Sequence, residues 1–219
     1  MKTRKRLLNR RRRAIRRTLL CLTAVLLIQH IMHLGLILPI QTVRQQEERA
    51  GIGRTRVVER VRVPEIHRTH LAYLTENEEA TLFSSCHLTL YGWMASFQVA
   101  VDCTEEAPLH AGFSFMYGDE ERAWYGFGRV DDPRIARVEL SLQSQMWDPE
   151  AEAYYMEEVR RITEIELTEQ SGHRYFLAKD SGEWDSNRYS TPQAVAIGYD
   201  CDGQEIARSE IEEWIASMY

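Results

Sequence analysis

The sequence predicts a mainly β protein: an N-terminal transmembrane helix, then an antiparallel β-sandwich-like extracellular domain, then a short C-terminal helix. Three observations lead there. Residues 19–40 form a run of 22 without a formally charged side chain. Residues 1–18 hold ten Lys and Arg and no acid. From residue 69 onward, apolar and polar side chains alternate with a period of two between Gly, Asp and Pro turns, which is the signal of strands and hairpins.

The elements are taken in chain order. A helix of 22 residues rises about 33 Å, which matches a hydrocarbon core of about 30 Å. The rival reading is a cleaved signal peptide, but the apolar run is long for one and no A-x-A-like site follows it. Arg16 and Arg17 ahead of two leucines loosely resemble an export signal, and Cys21 a lipoprotein cysteine, yet Cys21 stands near the start of the run and follows Leu20 rather than a small residue. An uncleaved anchor is therefore expected. Positive charge stays inside, so residues 1–18 are read as a basic cytoplasmic arm that also meets membrane lipid, and residues 19–40 as the span.

Within the span Thr23, Gln29, His30 and His33 fall in an arc of about 120° at 100° per residue. Polar groups are costly in hydrocarbon, so this face is expected to meet a second copy or a partner helix; single neutral histidines tolerated in lipid are the alternative. Haem or metal ligation is disfavoured because one helix supplies too few ligands.

Charge divides sharply along the chain. Residues 41–68 carry +3 and residues 69–219 carry −19, within a formal total of −6. A domain this acidic is a poor ligand for phosphate, so no nucleic-acid partner is expected for it. Residues 41–68 read as a stalk or linker: a helix running to about Arg49, a break at Gly51 and Gly53, then RTRVVERVRV as a short strand or a strip packed on the domain, closed by Pro64. His67 and His70 read as solvated linker residues rather than a metal site.

Residues 69–219 form the acidic extracellular β domain. In TLFSSCHLTLYGWMASFQVAVDC a reversal at residues 93–96 places Leu90, Leu88 and Cys86 opposite Val99, Val101 and Cys103. Cys86 and Cys103 then face each other, and outside the cell they are expected either as a disulfide or as two buried thiols. Next, HAGFSFMYGDEERAWYGFGRV is a hairpin in which Phe113 covers Gly126. In RIARVELSL, Val138, Leu140 and Leu142 point one way, and MWDPEAEAYY reads as a loop. Hairpins follow around Ser171 and Gly172 and around Asp202 and Gly203. Ser209 with Glu212 makes a capping box ahead of Ile211, Trp214, Ile215 and Met218, which predicts the terminal helix.

The segments YGFGRVDDPRIARVEL, GHRYFLA and AVAIGYDCDGQEIAR are similar to the outer domains of small uncharacterised bacterial membrane-anchored proteins. Their shared pattern is a G-x-V-x-D-P strand opening, an aromatic Y-F strand and a closing G-Y-D-x-D-G hairpin. The resemblance spans residues 69–208 and implies architecture and location, with no catalytic residues to transfer.

No G-x-S-x-G, H-E-x-x-H, P-loop or dinucleotide fingerprint occurs. Asp200-x-Asp202-Gly203 lacks the spacing of a calcium loop, and Cys201 has no histidine beside it in sequence to activate it. Glu76, Glu78, Glu79, Glu157 and Glu158 read as turn and surface acids rather than a hydrolytic pair. Tyr117, Trp124, Tyr125 and Phe127 read as core before they read as a sugar platform. No catalytic, cofactor-binding or metal-ligating residue is assigned, and no enzyme activity is expected. The function expected is a membrane-anchored extracellular interaction module of the cell envelope, with an unidentified envelope protein or ligand as partner. A single-pass signalling protein is the second reading and an envelope hydrolase the third.

Overall fold

The computed structural model describes residues 2–31, 36–64, 68–117, 122–148, 150, 152–182 and 193–211. Helices α1 (Lys2–Ile31) and α2 (Pro39–Arg49) precede the strands. The first sheet joins β1 (Arg56–Arg62), β2 (Leu71–Glu76), β3 (Ala80–Thr89) and β4 (Gly92–Asp102) in that order. The second uses β5 (Leu109–Tyr117), β6 (Arg122–Val130), β9 (Leu167–Gln170) and β10 (His173–Gly182) in the order β5, β6, β10, β9. The third uses β7 (Arg137–Asp148), β8 (Ala153–Ile162), β11 (Gln193–Tyr199) and β12 (Glu205–Ile211) in the order β12, β11, β7, β8. All pairings are antiparallel.

The sequence predicts one sandwich; the domain has three β layers. The cause lies in the middle sheet, which is apolar on both faces. Side chains alternate across a strand, so Tyr125, Phe127 and Tyr175 face the first sheet, packing on Leu74, Phe83, Phe97 and Val99. Phe83 stacks on Tyr125 and Phe127 with ring centroids 4.9 and 5.3 Å apart. The intervening Trp124 and Phe176, with Phe113, face the third sheet and pack on Val138, Leu140, Leu142 and Ala196. Each such large side chain contributes about 1.5–3 kcal/mol by leaving water.

Several expected pairings hold. Phe113 lies opposite Gly126, and a Cβ on Gly126 would overlap Leu140 of the layer beyond, so the glycine lets two sheets close. Val138, Leu140 and Leu142 are all fully buried. Ser171 and Gly172 turn β9 into β10 with φ of 56° and 86°, and Asp202 and Gly203 lie in the turn from β11 to β12.

Other expectations are corrected. The expected helix to Arg49 and the short strand in RTRVVERVRV are present, but residues 41–64 are packed on the domain instead of forming a stalk. Helix α2 buries Thr42, Val43, Gln46 and Glu47 against β3 and β4, and β1 pairs with β2 along its length. Gln46 Nε2 donates to the Phe97 carbonyl at 2.9 Å, and Glu47 accepts from Arg44 Nη1 and from the Thr55 hydroxyl. A mostly polar contact stripe gives no apolar period, so the sequence pattern missed it. His70 is buried, not solvated, with its ring 5.9 Å from that of His87; His67 lies outside the described residues.

The span also differs from its expected limits. The chain leaves helical geometry before Leu36, which forms an antiparallel bridge with Trp93, and Pro39 opens α2 at the position where its missing N–H costs nothing. Ile40 therefore belongs to the domain, packing beside Val43. Among the described residues no helix is long and apolar enough to cross a membrane. Of the expected partner face, His33 and the side chains of Gln29 and His30 lie outside the described set, while the Thr23 hydroxyl donates to the Leu19 carbonyl at 2.9 Å.

The expected register of β3 and β4 is wrong. The strands reverse at Leu90 and Tyr91, with Thr89 opposite Gly92, and a bulge between Ser85 and Cys86 shifts the ladder. Cys86 lies opposite Ala95, while Cys103 follows Asp102, the partner of Ala80. At about 3.3 Å per residue the two cysteines stand about 20 Å apart along the hairpin, too far to bridge. Both are free thiols whose pKa burial pushes up. Alkylation in denaturant without reductant should modify all four cysteines, whereas Cys86 and Cys103 should stay unmodified in native protein; two unmodified thiols in denaturant would indicate a bridge.

Finally, MWDPEAEAYY is no simple loop, since β7 and β8 pair as far as Asp148 and Ala153. Ser209 lies in β12 rather than capping a helix, and residues 212–219 lie outside the described set.

Candidate functional site

A polar cluster closes one end of the seam between the first and middle sheets. Its residues come from the strand alternation itself. Tyr125, Phe127 and Arg129 share the face of β6 that meets the first sheet, and Asp131, two residues on, stays on that side. The register sets His110 of β5 and Tyr175 of β10 on either side of Arg129. Where the row of aromatics ends, a row of ionisable groups begins.

Asp131 is the hub. Its Oδ2 accepts from Arg129 Nε at 3.0 Å and Nη2 at 2.7 Å, its Oδ1 bonds His173 Nδ1 at 3.0 Å, and His110 Nε2 stands 3.3 Å from Oδ2 without the alignment of a hydrogen bond. Burial would raise the Asp131 pKa; hydrogen bonds from Arg129 and His173 and the Arg129 charge outweigh it and hold the carboxyl below its ordinary range. The Arg129 side chain is 6% exposed, and its remaining donors reach the Cys103 carbonyl at 2.9 Å and the Glu78 carbonyl at 3.3 Å. One guanidinium thus ties the end of β4 and the turn after β2 to the middle sheet. Beside it, burial and the charge of Glu76 push the Tyr175 hydroxyl pKa up.

Outside the hub lies a cleft of about 480 Å³, lined by Arg54, Arg56, Glu76, Asn77, Glu78, Glu79, Ser171 and His173. The Ser171 hydroxyl donates to Glu76 Oε1 at 3.1 Å and accepts from Arg56 Nη1 at 3.0 Å. It therefore gives its proton to a carboxylate and not to a histidine. The cleft offers both charge signs and several donors to a polar ligand.

A second surface is apolar. Of the aromatic residues expected as core or as a sugar platform, Trp124, Tyr125 and Phe127 are buried. Three aromatics are displayed elsewhere, on the hairpin of β7 and β8, where Trp147, Tyr154 and Tyr155 are exposed together with Met156. Trp147 and Tyr154 are cross-strand partners with ring centroids 4.8 Å apart, edge to face. Reading this segment as a loop hid the surface.

Sequence reasoning also passed over the polar hub, although the register that sets Phe113 opposite Gly126 sets His110 opposite Arg129 three residues further on. Of the acids singled out, Glu76, Glu78 and Glu79 line the cleft, while Glu158 accepts from Ser141 and Arg161 on the third sheet. Cys201 is exposed in its turn, far in sequence from both surfaces. No family model matches the sequence, and neither a curated protein nor a solved structure is detectably similar to it.

Proposed function

We propose that the chain is a single-pass, membrane-anchored protein of the bacterial cell envelope whose β domain lies outside and acts as an interaction module. One observation carries the reading. Leu19, Leu20, Leu22, Val25, Leu27 and Ile28 of α1 are each more than half exposed. At about 100° per residue these six side chains point in all directions around the axis. A helix that is apolar all round belongs in a core or in lipid, and these residues are in no core.

The uncharged residues 19–35, ahead of the bridge at Leu36, number 17, about the shortest run with which a helix spans the hydrocarbon layer. The basic arm supports an inner N-terminus, which puts the domain after the span on the outer side. Such a domain is proposed to meet envelope partners through the aromatic hairpin of β7 and β8, since exposed Trp and Tyr supply contact area at low entropic cost.

Carbonate extraction tests it. The full chain is expected to stay with the membrane pellet at alkaline pH; its release into the supernatant would overturn the anchor.

A further inference from the structure

We infer that the tip of the hairpin between β3 and β4 enters the outer leaflet beside the chain's own anchor, so that the domain lies down on the bilayer instead of hanging free above it. This rests on the membrane-anchored reading and adds an orientation to it.

The tip is unlike the rest of the domain. Leu90 is 92% exposed, and Tyr91, Met94 and Leu88 are exposed around it. Residues 88–97 contain no charged side chain, although residues 69–219 carry −19 overall. Displayed apolar side chains on so acidic a domain need an occupant. An anionic lipid surface repels the remainder of the domain, so an uncharged projection is the part that can make the approach.

The position of the tip names the occupant. Trp93 N–H donates to the Leu36 carbonyl and Leu36 N–H to the Trp93 carbonyl, both at 2.7 Å. Leu36 lies near the end of the uncharged run, where the chain leaves the proposed span. Ile37 and Leu38, next in sequence, are also more than half exposed. Two hydrogen bonds therefore hold Leu90 and Tyr91 at the depth where the anchor emerges, the level that Tyr and Trp favour in membranes. Trp93 packs beside Val43 and Tyr73, so the tip is fixed to α2 and to the first sheet and cannot swing away on its own.

The test uses the full chain in phosphatidylcholine and phosphatidylglycerol vesicles with an environment-sensitive fluorophore on one thiol at a time. Cys86 and Cys103 are buried and stay in place. One protein keeps Cys21 with Cys201→Ser, one keeps Cys201 with Cys21→Ser, and the third combines both serines with Leu90→Cys. Lipid-borne doxyl quencher is expected to quench the probes at positions 21 and 90 at least about twofold more than the probe at 201, with a blue-shifted emission at 90. Quenching at 21 without quenching at 90 would leave the anchor standing and overturn the tip. Absence of quenching at 21 would overturn both.

Discussion

Gly128→Val should leave the β domain without a cooperative melting transition. Gly128 sits in the middle sheet between β5 and β10. A Cβ there would overlap the carbonyl oxygen of His110 and stand 2.8 Å from the Phe176 ring and 3.0 Å from the Ala111 Cα. Two of these three obstacles are backbone, which cannot turn aside as a side chain can. To admit the new atoms β5 must leave β6, and both faces of the middle sheet lose packing with it. Overpacking a core costs about 1–3 kcal/mol, and the broken ladder adds to that. Two comparisons calibrate the effect. Gly126→Ala collides with Leu140, a side chain, and should cost about 1–3 kcal/mol. Gly203→Ala meets nothing within 4 Å at φ +81°, so only backbone strain of about 1 kcal/mol is expected. Near-ultraviolet circular dichroism of the three proteins in detergent measures the order; Gly128→Val melting like Gly203→Ala would disprove the layered packing.

Asp131→Ala should be the most damaging change among the ionisable residues, by about 2–3 kcal/mol. Removing one partner of a buried pair strands the other charge, at about 3–5 kcal/mol when both are fully buried. Here Arg129 is 6% exposed but the Asp131 side chain is 26% exposed, and water at that rim screens part of the loss. Arg129 keeps its two backbone carbonyls, so the clamp weakens without vanishing. The pH dependence has a definite sign. Because the fold holds the Asp131 pKa below its ordinary value, the ionised form is the one that stabilises. That contribution is complete above about pH 4 and is lost as pH falls through the depressed value. Asp132, held down to about 2 by hydrogen bonds from Arg134, titrates in the same acid region, so the difference between wild type and Asp131→Asn isolates the hub. Melting curves between pH 7 and pH 3 should show that difference shrinking in acid; a difference constant across the range would contradict the role given to Asp131.

How far the sequence could be read depended on whether each signal was local. The turns at Ser171 with Gly172 and at Asp202 with Gly203 are dipeptide chemistry, and they were legible. So was the pairing of Phe113 with Gly126, because only four residues separate the two strands and that fixes the register. The hairpin of β3 and β4 was not, since the chain reverses at Leu90 and Tyr91, about four residues ahead of the expected turn, and a bulge at Ser85 and Cys86 shifts the ladder by one residue more. The third layer was hidden for another reason. Trp124 and Tyr125 are adjacent and buried on opposite faces, and a run of aromatics reads the same in a two-layer as in a three-layer stack. The helix to Arg49 was legible but its docking was not, because three of its four buried residues, Thr42, Gln46 and Glu47, are polar and leave no apolar stripe to count. Half of the polar hub was within reach, namely His110 opposite Arg129. The other half, His173 on Asp131, needed the non-local pairing of β10 with β6.

The proposed topology is tested most directly by the native cysteines. Cys201 is exposed in the turn from β11 to β12, while Cys86 and Cys103 are buried and Cys21 lies in the proposed span. A membrane-impermeant maleimide added to intact spheroplasts carrying the full chain should modify Cys201 and no other thiol. Modification of Cys201 only after lysis would place the β domain on the inner side and contradict the account.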